Sequence, residues 1–254
     1  MSADVLAVRL DSDGDVLLTG PAVRAMAHAA ARDGGQVDVL AAPAGRAAAE
    51  LLPDVRDVLV FDAPWSGYRP PPVDRASVLD LVATLAERRY AAAVVFTSFH
   101  QSPLPAAMVL KVAGVGRVAA VSEDYPGSLL DVRHTRADGL HEVEAALDLA
   151  RAAGFGAPPD GDRLRVRGPL PDVSSLVPAG PYVVVHPGAS VPARAPAPDH
   201  ARDLVAALVR AGHEVVVTGG PGATDLAARA AAGRARVRSG RAALAGRAGG
   251  RAGA

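Results

Sequence analysis

Cysteine is absent from this sequence, and a single lysine, Lys111, stands among its 27 basic residues. The first absence removes disulfides, thiolate metal sites and cysteine nucleophiles together. The second argues against a P-loop, since no G-x-x-x-x-G-K run occurs and Lys111 falls inside a predicted helix. No G-x-G-x-x-G turn follows the first apolar run, which argues against a dinucleotide oxidoreductase. Net charge is missing as well: 27 acidic side chains balance the 27 basic ones, so no global field draws the chain to nucleic acid or an anionic membrane. No basic stretch with a signal-type apolar core opens the chain, and no run of about 18 apolar residues could span a bilayer. These absences predict a cytoplasmic protein with no transmembrane segment, whose partners are set by local sites.

What is present is an apolar half, 50% of 254 residues, enough for one large core or two small ones. The organising stretch is 5–26. Val5 to Leu10 is an apolar run, four polar or turn residues follow, and Val16, Leu17, Val23 and Met26 then recur at helical spacing. This is a strand, a tight loop and a helix, the opening unit of a parallel α/β domain. Further strands are predicted at 36–42, 58–61, 91–96 and 118–121, with helices at 45–52, from the N-cap Asp74 onward, at 103–112 and at 139–153. The alternation predicts a doubly wound parallel sheet over 1–153. The proline-rich stretch 63–73 and the segment 122–136 read as loops. Residues 154–180, rich in Pro, Gly and Asp, read as a linker with one short strand near 164–166. A second β-loop-α-β unit follows over 181–233, with strands at 182–185 and 214–218 and helices at 200–211 and 224–232. It looks unfinished. No acidic residue follows Asp225, while seven arginines do, and this Arg/Ala/Gly tail, 234–254, is expected to be disordered.

Ligands of such sheets sit at the carboxyl ends of the strands, where the Asp11–Asp15 loop lies. A calcium loop of the EF-hand kind is excluded, because its sixth and twelfth positions would be Val16 and Ala22 instead of Gly and Glu. Asp11 and Asp13 are read as helix caps or solvated carboxylates. Asp15 follows Gly14 at the helix start on the crevice side, where a carboxylate could take a proton from a hydroxyl. In the second unit, the loop His186 to Arg194 combines a turn, small residues that let phosphate approach backbone amides, and an arginine able to grip it. An ordinary Pro/Gly turn is the alternative. His100 and Gln101 lie at another strand's carboxyl end, and a lone histidine there is more often structural than catalytic.

Four stretches together, 8–24 (Val8-Arg-Leu-Asp-Ser-Asp-Gly-Asp-Val-Leu-Leu-Thr-Gly-Pro-Ala-Val-Arg24), 96–102 (Phe96-Thr-Ser-Phe-His-Gln-Ser102), 122–127 and 185–190 (Val185-His-Pro-Gly-Ala-Ser190), resemble glycosyltransferase family 9, the ADP-heptose:lipopolysaccharide heptosyltransferase family. The resemblance runs from about Val5 to Ala232. It implies a GT-B-like fold of two Rossmann-like domains, with the acceptor on the first and the nucleotide-sugar on the second. It further implies inverting, metal-independent transfer of a heptose-like sugar with no cofactor beyond the ADP-linked nucleotide-sugar donor. The acceptor would be a glycan or a lipid-linked, lipopolysaccharide-type molecule, and the enzyme would sit peripherally at the inner membrane face. By the same match Asp15 is the base, Gly188, Ala189, Ser190 and Arg194 meet the donor diphosphate, and Ser12, Asp13, His100 and Gln101 are acceptor-side candidates.

The sequence also departs from the family pattern. Arg194-Ala195 leads into Pro196-Ala197-Pro198 instead of a Trp-Pro pair, Gly222-Ala223-Thr224 stands where a glutamate is usual, and the Asp-Thr-Gly-x-x-His segment is absent. The expectation is a truncated or frame-shifted member with a whole acceptor domain and a partial donor domain. Two rivals are a catalytically inactive glycan- or partner-binding remnant and an unrelated Rossmann-like nucleotide binder.

Overall fold

The structure is a computed structural model and describes residues 3–98, 101–158, 161–189, 191–220, 224–233 and 235–239. The chain divides into two compact units, Met1–Gly168 and Pro169–Ala254.

Unit 1 is built on six parallel strands: β1 (Val5–Arg9), β2 (Val37–Ala41), β3 (Val55–Val60), β4 (Ala92–Phe96), β5 (Arg117–Val121) and β6 (Val132–His134). Their order in the sheet is β3-β2-β1-β4-β5-β6, the doubly wound arrangement, so the strand order reverses between β1 and β4. Arg9, the last residue of β1, pairs in register with Phe96, the last of β4. The helices α1 (Asp13–Arg32), α2 (Arg46–Leu51), α3 (Arg75–Arg88), α4 (Leu104–Val112) and α5 (Glu142–Ala152) cover the two faces. One core packs α1, α2 and α5 on Val5, Ala7, Val37, Val39 and Val94. The other packs α3 and α4 on Leu6, Val8, Leu40, Val95 and Val118. Alternate residues of β1 thus enter opposite cores. That is why this strand is apolar without a break up to Arg9.

The predicted loop at 122–136 contains β6, which pairs with β5 at Ala119 to Val121. Three residues alternating with arginine and histidine carry too little apolar period to mark a strand, and the exposed edge of β5 supplies the order instead. No strand forms at 164–166. There the side chain of Arg24 in α1 donates to the carbonyls of Gly161 and Arg163, and Arg167 donates to those of Leu52 and Val55, so the segment is held to unit 1 by arginines.

Unit 2 holds three parallel strands in the order β7 (Tyr182–Val185), β8 (Glu214–Gly219) and β9 (Arg236–Ser239), with α6 (Pro198–Arg210) and α7 (Thr224–Ala231). Val185, Val215 and Val217 join Ala201, Val205, Ala227 and Ala230 in its core. Strand β9 corrects the reading of 234–254 as disordered throughout: composition argued against order there, but the free edge of β8 at Val216 to Gly219 pairs with it. The rest of that tail, 240–254, lies outside the described residues.

Candidate active site

The first turn of α1 is organised by its own side chains. Ser12 is the N-cap in extended conformation. Asp15, three residues on, accepts through Oδ2 from the Ser12 amide at 3.2 Å and from the Ser12 hydroxyl at 2.7 Å. A carboxylate at this position also meets the positive end of the helix dipole. Gly45, at the entry to α2, comes so close that a Cβ there would lie 2.6 Å from the Asp11 carbonyl and 2.7 Å from Val16 Cγ2. Glycine at 45 is therefore what lets α2 close on the Asp11 loop. Asp13 Oδ1 in turn accepts from the Ala48 amide at 3.0 Å, so Asp13 caps α2 and turns away from the sheet end.

The three aspartates have three different fates. Asp11, 8% exposed, pairs with Arg9 Nε at 2.9 Å and accepts from Ser98 Oγ at 3.1 Å and Gln101 Nε2 at 2.7 Å. It is neither a cap nor solvated, contrary to expectation, because the loop after β4 brings Ser98 and Gln101 across the switch point. Gln101 is fixed in turn by the Ser98 amide, which donates to its Oε1 at 3.1 Å. Arg9, only 6% exposed, also donates from Nη2 to Ser98 Oγ at 2.9 Å and stands 3.4 Å from Asp15 Oδ1. Asp15 is 33% exposed. Its Oδ2 is taken by Ser12 and its Oδ1 meets only the longer Arg9 contact, so of the two aspartates around Arg9 it is the one with a lone pair to offer.

Beside this cluster, the carboxyl ends of β1, β4, β5 and β6 open into a cleft of about 980 Å³. Arg9, Ser98, Gln101, Ser122, His134 and Arg136 are among its lining residues. Asp15 is outside the lining and is linked to it through Arg9. His134 Nε2 lies 2.7 Å from Asp148 Oδ2, and Arg136 donates to Glu142 at 2.8 Å, so both side chains are braced by α5.

In unit 2, Gly188 and Ala189 lie in the loop after β7, and Arg194 ends the single turn Pro192–Arg194 with its side chain exposed. His186 Nδ1 is 2.9 Å from Thr218 Oγ1, which ties this loop to the carboxyl end of β8. His100 and Ser190 lie outside the described residues. The structure thus joins Ser12, Asp15 and Gln101 through Arg9, Asp11 and Ser98, and separates Asp13 from them. Arg9 and Ser98 were not anticipated. A charged residue closing a buried strand was the available signal, since a buried guanidinium requires carboxylate or hydroxyl partners nearby.

Against solved structures, the chain is similar to a glycosyl transferase family 9 protein from Veillonella parvula, at 13% identity and a TM-score of 0.69 over 95% of this chain and 71% of that one. It is also similar to E. coli ADP-heptose lps heptosyltransferase II, at 20% identity and a TM-score of 0.66 over 95% of this chain and 74% of that one. The third is E. coli heptosyltransferase WaaC with ADP, at 20% identity and a TM-score of 0.63 over 93% and 74%. The fold is GT-B. No family model matches the chain, and no curated protein is significantly similar to it in sequence. Within this GT-B chain, no helix among the described residues is long and apolar enough to cross a membrane.

Proposed function

We propose that this chain is a glycosyltransferase of the family 9 type, moving a heptose-like sugar from an ADP-linked nucleotide-sugar to a hydroxyl of a glycan or lipid-linked acceptor. The observation that carries this reading is Asp15, a partly exposed carboxylate with Oδ1 unclaimed by any close hydrogen bond, at the strand-order reversal of unit 1. The likeness in fold to a heptosyltransferase crystallised with ADP supports the donor class. In the proposed reaction Asp15 Oδ1 takes the acceptor hydroxyl proton as that oxygen forms a bond to the anomeric carbon. The bond from the anomeric carbon to the diphosphate oxygen breaks on the opposite face, inverting the centre, and the electron pair leaves with ADP. For unit 2 the proposed donor-diphosphate loop is the one carrying Gly188, Ala189 and Arg194, tied to the carboxyl end of β8 by the contact of His186 with Thr218. No metal ion or cofactor is part of this scheme.

Incubation with a panel of nucleoside diphosphate sugars and oligosaccharide or lipid-linked acceptors tests the reading. Release of ADP from an ADP-sugar, with a product whose anomeric configuration by NMR is opposite to the donor's, is the expected result. Retention of configuration, or no turnover of any donor in the panel, would overturn it.

A further inference from the structure

We propose that Arg9 is a positioning residue for the reaction, one that holds the proposed base Asp15 in its working orientation and keeps a full charge partner when that base is protonated. This rests on the reading of Asp15 given above. The guanidinium reaches three groups from one buried position: Asp11 at 2.9 Å, Ser98 Oγ at 2.9 Å and Asp15 Oδ1 at 3.4 Å. If Arg9 were only a structural partner for Asp11, its Nε contact would suffice. Its Nη2 instead donates to Ser98 Oγ at 2.9 Å and lies 3.4 Å from the oxygen of Asp15 that Ser12 leaves open.

The division of labour follows from charge. Ser12 grips Oδ2 at 2.7 Å, so the carboxylate has one fixed oxygen and one that Arg9 aims. As Oδ1 accepts a proton from the acceptor hydroxyl, its attraction to Arg9 falls away. A buried guanidinium left alone at that moment would be costly. Asp11, itself buried and held by Ser98 and Gln101, keeps Arg9 paired throughout. Two carboxylates around one arginine are thus a fixed partner and a working partner.

The test compares the full chain with Arg9→Met, Arg9→Lys, the double variant Arg9→Met/Asp11→Asn and Asp15→Asn. ADP release from the donor and acceptor pair identified by the panel is the activity readout, and thermal unfolding reports folding. Misplacement of a reacting group by about 1 Å costs on the order of 100-fold. Arg9→Met is expected to lower kcat by about that factor with both KM values within about 2-fold, Arg9→Lys to lose less, and added guanidinium ion to restore part of the Arg9→Met rate. The double variant removes both buried charges, so it folds without an unpaired carboxylate, and its kcat should be low as well. Wild-type kcat in the double variant, a loss seen only in KM, or no response to guanidinium would overturn the proposal. A crystal structure of whichever Arg9→Met chain folds, single or double, gives an arm independent of turnover. The Asp15 carboxylate should have left its present rotamer, and an unchanged rotamer overturns the proposal even if no donor is turned over. If Asp15→Asn keeps full activity, the base reading fails. If Asp15→Asn is inactive while the Arg9 variants turn over normally, only the role of Arg9 fails.

Discussion

The two ends of the unit 1 sheet carry networks made of the same groups, carboxylates and arginines with a hydroxyl, and they differ in how fully those groups are paired. At the amino ends of the strands Asp38 is fully buried and receives Arg56 through two nitrogens at 2.8 and 2.6 Å, the Tyr90 hydroxyl at 2.6 Å and Arg88 at 3.4 Å. Arg56 continues to Asp4 at 2.7 Å and Arg88 to Asp57 at 2.6 Å. Both Asp38 oxygens are committed. At the carboxyl ends Asp11 is committed in the same way, but Asp15 keeps one oxygen loosely held and partly exposed. The charge count does not separate the two networks, and burial does so only in part. What separates the two networks is the Asp15 oxygen that no close hydrogen bond claims.

The sharpest way to break this contrast is Asp15→Asn. General-base catalysis contributes about 10²–10⁴-fold, so transfer should fall by that much while donor binding, followed by calorimetry, stays near wild type. Full turnover at saturating substrate would place Asp15 with Asp38 among the purely structural carboxylates. The reciprocal change, Asp38→Ala, should lower unfolding free energy in urea by about 3 kcal/mol, the low end for a broken buried pair because Arg56 and Arg88 reach solvent. Activity per folded molecule should be unchanged, and a loss of kcat at unchanged folded fraction would mean that the amino-end network also serves the reaction.

A smaller effect is expected from Tyr90→Phe, about 1 to 1.5 kcal/mol at neutral pH, from the loss of one buried hydrogen bond to a charged acceptor. It carries a pH signature. Burial, and then the hydrogen bond to the ionised Asp38, push the Tyr90 hydroxyl well above its ordinary value near 10. The folded state keeps that proton after the unfolded chain has released it. The stabilisation is therefore complete below about pH 10 and is lost as pH rises beyond it. Wild type and Tyr90→Phe should converge in urea titrations above about pH 10, and a constant gap up to pH 11 would contradict the assignment. The smallest effect belongs to Asp4. Burial alone would raise its carboxyl, but hydrogen bonds from Arg56 and the Gln36 amide outweigh that and hold it below the ordinary range. Its contribution is present above about pH 4 and fades as pH falls through the folded-state value. Asp4→Asn should therefore lose its small deficit against wild type on acidification, which acid titrations of the two chains would show.

Much of unit 1 was legible because its signals are local. An apolar run, Val5 to Val8, then polar turn residues and a 3.6-residue period identify a buried parallel strand feeding a helix, and Asp74 caps α3 as its sequence position suggested, accepting from the Ser77 amide at 2.9 Å. The short strands β6 and β9 were not legible, because a three- or four-residue strand rich in arginine is ordered by the edge it joins. Within the site, the place of Asp15 in the first turn of α1 was legible, because it follows from the chain itself.

The sequence alone determined the alternation of strands and helices, hence the doubly wound sheet, and it determined that a carboxylate-rich loop would stand at the carboxyl end of β1. Only the tertiary structure decided which carboxylates gather around Arg9. Asp11, Asp13 and Asp15 recur at a spacing of two, and partners of the first two come from residues far along the chain: Ser98 and Gln101 for Asp11, Ala48 for Asp13. Partners that distant are chosen by strand order and helix packing, and hydrogen bonds reward a fit of a few tenths of an ångström that no pattern along the chain records.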